Sequence, residues 1–157
     1  MNANVQKKML EALIEIIRKT SAELPQDVID AIEAGKKQEQ PDSRGDYAMG
    51  FICKNIGLAK VKSAPLCQDT GSILFFVHYP WKMDADILSK LFKKAVTQAT
   101  KKGFLRQNSV DSLPGVNNGT NVGPGSPTLH MEPWKKDFLD VRVILKGGGC
   151  ENVGAQY

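Results

Sequence analysis

No stretch of this sequence approaches the roughly 20 apolar residues of a membrane span. The N-terminus also lacks the compact apolar segment and small-residue cleavage site of a signal peptide, which predicts a cytoplasmic protein. Cysteine is scarce: Cys53, Cys67 and Cys150 are odd in number and far apart. That spacing excludes a disulfide framework and a CxxC zinc module. The two histidines, His78 and His130, fall in strand-like stretches and read as packed or surface groups rather than ligands. No charge of one sign is concentrated anywhere. The net charge is +4, and the lysines come as scattered pairs such as Lys36-Lys37, Lys93-Lys94 and Lys135-Lys136. Such pairs predict a solvated surface rather than a nucleic-acid stripe. Neither nucleic acid nor membrane is expected as a partner, and the mild positive balance suits a small anionic substrate.

What is present is ordinary globular material. The 157 residues, 41% apolar and 24% charged, suffice for one domain with a real core. Residues 3–19 carry Val5, Met9, Leu13, Ile16 and Ile17 at helical spacing, which predicts an amphipathic helix. A second helix is predicted from Pro25, with Val28, Ile29 and Ile32. A third, capped by Asp42 or Ser43, is expected to bury Tyr47, Phe51, Ile52 and Ile56, to end near Gly57 and to pack Cys53 within it. Residues 72–79 predict a core strand. Asp84 caps a fourth helix over 85–101, ended by Gly103. Thr128–Met131 and Val141–Lys146 predict two more strands, joined by a turn through Trp134–Asp137. The fold class expected is α+β: N-terminal helices, then a small mixed β-sheet flanked by helices.

Chemistry concentrates in the loops. Pro65-Leu66-Cys67-Gln68-Asp69-Thr70-Gly71 feeds the first strand, so reactive side chains stand at the rim of a rigid element. Cys67 there is a metal or cluster ligand, or else a buried structural thiol; Gln68 and Asp69 are candidate substrate groups. Arg106-Gln107-Asn108-Ser109-Val110 follows the fourth helix. Taken alone, Arg106 fits a helix-end arginine favoured by the dipole. The run from Pro114 to Pro127 is rich in glycine and asparagine and too polar to pack a core. Loops of that length are functional or disordered. Lys146-Gly147-Gly148-Gly149-Cys150 offers an anion-binding nest, or a tight turn or bulge; it lacks the ending of a Walker loop. A stop at Tyr157, shortly after it, is expected of a fragment.

Taken together, Pro65–Gly71, Arg106–Val110, Asn118–Pro124 and Lys146–Asn152, in that order, make the chain resemble the alpha subunit, or N-terminal catalytic region, of class I fumarases and L-tartrate dehydratases. Those are iron–sulfur hydro-lyases. The resemblance implies a [4Fe–4S] cluster on three cysteines with one iron open to substrate. Cys67 matches the first ligand, and the other two lie beyond residue 157. Cys150 stands where relatives often carry serine, so neither it nor Cys53 is promoted to ligand. The resemblance further implies carboxylate binding by Arg106, aided by Gln68 and the Gly149 N–H, and proton transfer or water orientation by Asp69. An arginine fork matches two carboxylate oxygens, which gives the role physical sense. The implied substrate is a small dicarboxylate, fumarate or alternatively tartrate. The implied partners are a beta subunit or C-terminal domain of the same enzyme, in an oligomer. Residues 1–157 would then be the N-terminal part of one catalytic domain, inactive alone. A rival of another class is a non-catalytic module binding small anions.

Overall fold

The computed structural model describes residues 2–67 and 72–147. Its first helix, α1 (Ala3–Ala22), starts where Asn2 Oδ1 accepts the Val5 N–H at 2.9 Å. A helical arm follows, made of α2 (Gln26–Gln38) and α3 (Arg44–Lys62). Strand β1 (Ser72–Pro80) leads through a short turn into α4 (Ala85–Lys101), whose first turn is capped by Asp84. A long loop then reaches β2 (Thr128–Trp134), and β3 (Asp140–Lys146) comes last.

The three strands form one mixed sheet in the order β2-β1-β3. β2 runs parallel to β1, with Leu74 opposite Thr128 and Pro80 opposite Trp134. β3 runs antiparallel to β1, with Ser72 opposite Lys146 and His78 opposite Asp140. The turn expected between β2 and β3 therefore makes no hairpin. It carries the chain across the end of β1, closed by the Trp134 Nε1–H bond to the Phe138 carbonyl at 2.8 Å.

Alternation along β1 sends Ile73, Phe75 and Val77 to one face. There they meet Leu88, Phe92, Ala95 and Val96 of α4 and Leu13, Ile14 and Ile17 of α1. The Phe75 and Phe92 rings touch edge to face, 4.8 Å between centroids. The opposite face carries Phe76 stacked on His130, and His78 between Glu132 and Asp140. Both histidines thus sit on the sheet surface.

The arm departs from the sequence expectation. α3 runs past Gly57 to Lys62 and stops where Ser63 turns left-handed at φ 49°. Gly57 has open space around it, so nothing there interrupts a helix continued by Leu58, Ala59 and Lys60. Its cap is Ser43, whose Oγ accepts the Asp46 N–H at 3.0 Å. Tyr47 and Phe51 were expected to be buried but are 58% and 72% exposed, and Ile52 is exposed too. The reason is placement: α2 and α3 pack on each other, beside the main core rather than on it. Cys53 is accordingly half-buried, not packed away. No described helix is long and apolar enough to cross a membrane.

Candidate functional site

Topology brings the described flanks of the motif stretches toward one end of the sheet. The Pro65–Gly71 stretch enters β1 at Ser72, and β3 leaves the sheet at Lys146, its partner in register. The glycine run begins there at Gly147. β1, α4 and β2 form a crossover between parallel strands, so α4 runs back along β1. Its 17 residues span about 25 Å, close to the length of β1. Its C-terminal end, and Arg106 just beyond, therefore return to the Ser72 end of the sheet. The loop from Arg106 then enters β2 at Thr128, opposite Leu74.

The segment leading to Cys67 is tied down from two helices. The Leu66 N–H donates to the Ser21 carbonyl of α1 at 2.9 Å, and Asn55 Nδ2 of α3 donates to the Leu66 carbonyl at 3.0 Å. Arg18 bridges the same region, bonding Glu15 and Glu23 and reaching Ser63 Oγ at 3.3 Å. Cys67 itself is exposed. An apolar groove of about 420 Å³ lined by Leu24, Ile32, Phe51 and Ile56 borders Leu66.

The hydrogen bond from Arg18 is the largest influence on Glu15 and holds its carboxyl below its ordinary range. A depressed carboxyl stabilises the fold above that range, and the contribution is lost as pH falls through it. Glu15 is half exposed, so screening keeps the effect within about 1 kcal/mol. Thermal melts of wild type and Arg18→Gln should differ slightly at neutral pH and converge in acid. A gap that widened in acid would contradict this.

The loop after α4 is held by asparagines. Asn117 Nδ2 donates to the Gln107 carbonyl at 2.6 Å, and Asn118 Oδ1 accepts the Thr120 N–H at 3.0 Å. Asn121 accepts from the Asn108 and Ser109 N–H groups at 3.0 and 3.1 Å. The polar run is thus an ordered loop. Arg106 is exposed, outside α4, and enters no ion pair among the described residues. Four residues past the α4 cap at Lys102, it is not a helix-end arginine.

Gln68, Asp69, Gly149 and Cys150 lie outside the described residues. The structure brings the Cys67 and Arg106 segments to the same end of the sheet. A hollow of about 30 Å³ lined by Ser109, Val110, Asn118 and Pro124 is water-sized, too small for a dicarboxylate. A roomier depression of about 540 Å³, between Trp81, Trp134 and Lys136, lies at the opposite end of β1 and contains none of the motif residues. Among the described residues no three His, Cys, Asp or Glu side chains are grouped to hold a metal. The residues that sequence reasoning missed are Asn121 and Thr100. Their only signal was an asparagine in a glycine-rich loop, which reads equally well as a turn former.

A family model described as fumarate hydratase (Fumerase) matches residues 10–157. The chain is 44% identical over 151 residues to a Geobacillus stearothermophilus protein named "Putative fumarate hydratase class I", covering 96% of this chain and 29% of that one. It is 34% identical over 146 residues to the L(+)-tartrate dehydratase subunit alpha of Escherichia coli K12, covering 91% of this chain and 48% of the subunit. The chain thus spans less than half the length of these relatives. With the match extending over most of its residues, the chain belongs to the class I fumarate hydratase family.

Proposed function

We propose that residues 1–157 are the N-terminal part of a single catalytic domain in an iron–sulfur hydro-lyase that hydrates fumarate reversibly to L-malate. The observation that carries this is the convergence of the Cys67 and Arg106 segments at the Ser72 end of the sheet. The higher identity to the relative named as a fumarate hydratase, 44% against 34%, supports fumarate. Dehydration of L-tartrate to oxaloacetate is the alternative. The name of the tartrate dehydratase subunit supports a beta subunit or C-terminal domain as partner.

The donor set fits a cluster in one respect. Cys67 presents an exposed thiol on a loop anchored from two helices, and thiolate is the usual ligand of iron–sulfur clusters. It fits as one ligand of a [4Fe–4S] group, with the others coming from outside residues 1–157. When bound, that group supplies Lewis acidity toward a hydroxyl that is otherwise a poor leaving group. The chain's own residues bind and orient. Arg106 grips a substrate carboxylate with paired N–H donors, with the Gln68 amide and the Gly149 N–H completing the hold. Asp69 moves the proton or orients the water.

The test uses full-length protein reconstituted anaerobically. Loss of fumarate absorbance with malate formation is expected, and faster than tartrate turnover. A loaded cluster with neither reaction would return the chain to small-anion binding. Arg106→Lys should lower the specificity constant on the order of tenfold or more, equivalent to about 1.4 kcal/mol, because an ammonium cannot reproduce the fork. Unchanged kinetics would remove Arg106 from the site.

A further inference from the structure

We infer that Asn121 is a positioning residue that aims Arg106 at the substrate; this rests on the hydro-lyase reading above. Asn121 is 2% exposed and holds a left-handed backbone at φ 56°. Asparagine tolerates that region better than most residues, and such conformations persist where the surroundings impose them. Here the surroundings are its own side-chain bonds. Oδ1 accepts the Asn108 N–H at 3.0 Å and the Ser109 N–H at 3.1 Å. Nδ2 donates to the Arg106 carbonyl at 2.6 Å and to Thr100 Oγ1 at 3.1 Å. The amide orientation follows from these partners, since two N–H donors require the oxygen and a carbonyl requires the nitrogen.

Both ends of the amide are used, and the anchor is firm. Thr100 is buried in the last turn of α4, where its hydroxyl donates to the Val96 carbonyl at 2.8 Å and leaves a lone pair for Asn121. On the other side, Ser126 Oγ donates to the Asn121 carbonyl at 2.7 Å. Its side chain therefore joins the end of α4 to the Arg106–Ser109 backbone, and its backbone carbonyl ties down the loop entering β2. The groups it holds are the carbonyl of Arg106 itself and the N–H groups two and three residues later. Fixing the peptide on that side of Arg106 limits the directions in which its exposed side chain can leave. Orientation of this kind acts on substrate grip, where small misplacement is costly.

The experiment compares Asn121→Gly, which accepts the left-handed backbone but deletes the amide, with the near-isosteric Asn121→Asp, which keeps the acceptor and loses the donor. Full-length reconstituted enzyme is assayed for KM and kcat with fumarate, alongside hydrogen exchange at the Asn108 and Ser109 amides. In Asn121→Gly, the Ser109 amide should lose protection, and the Asn108 amide less so because it also donates to the Arg106 carbonyl at 3.0 Å; KM should rise about tenfold, with kcat changed by less than about threefold. Asn121→Asp should keep the amides protected and raise KM less. If the glycine variant does not fold, the aspartate variant carries the test alone through its KM. An unprotected Ser109 amide with unchanged KM would overturn the inference, as would a fall in kcat with KM unmoved. Arg106→Lys, measured in parallel, separates the two readings. A KM effect there with none at Asn121 defeats positioning alone. No effect at Arg106 defeats the carboxylate grip, and the inference with it.

Discussion

Cys67→Ser in the full-length, anaerobically reconstituted enzyme is expected to abolish cluster absorbance and turnover together, while Cys53→Ser keeps both. A serine hydroxyl stays protonated where a thiol ionises, so the substitution removes the ligand while keeping its shape. Cys67 is exposed at the sheet end toward which the described flanks of the motif stretches come, and Cys53 is half-buried within α3. Ultraviolet–visible spectra and iron content read the cluster independently of activity. An intact cluster and full turnover in Cys67→Ser would remove Cys67 as a ligand. Loss of the cluster in Cys53→Ser would make that residue the ligand to consider.

The second large effect concerns the core beneath the site. Phe92 is fully buried and meets Phe75 edge to face, so it joins α4 to the central strand. Phe92→Ala removes that contact and leaves a cavity, at a cost of about 3–5 kcal/mol. Domains have only about 5–15 kcal/mol of stability in hand, so the variant should lose a large share of it and unfold at a markedly lower urea concentration. Phe51→Ala is the control: its ring is 72% exposed in this chain, and a change within about 0.5 kcal/mol is expected. Urea unfolding of residues 1–157 followed by circular dichroism measures both. Equal shifts in midpoint would contradict the assignment of the core to α1, α4 and β1.

Periodicity made α1 and α4 legible because each has one apolar stripe and one core to face. The apolar run of β1 likewise marked a strand with neighbours on both sides. The same logic failed on α3, whose apolar residues do not turn toward that core, so Tyr47 and Phe51 were wrongly expected inside. Strand order was hidden as well. A short connection between Trp134 and Asp140 suggests adjacency, yet β1 stands between the strands it joins. For the site, Cys67 and Arg106 could be named from their loops and the family resemblance. Asn121 could not, because its role depends on partners 12 to 21 residues away that only folding brings together.

The central claim is that this end of the sheet serves a cluster and a dicarboxylate at once. Titrating L-malate into the anaerobically reconstituted full-length enzyme while recording its cluster spectrum tests that most directly. A saturable spectral change that weakens in Arg106→Lys is the result predicted. A cluster spectrum indifferent to saturating malate, in enzyme that still turns over fumarate, would contradict it.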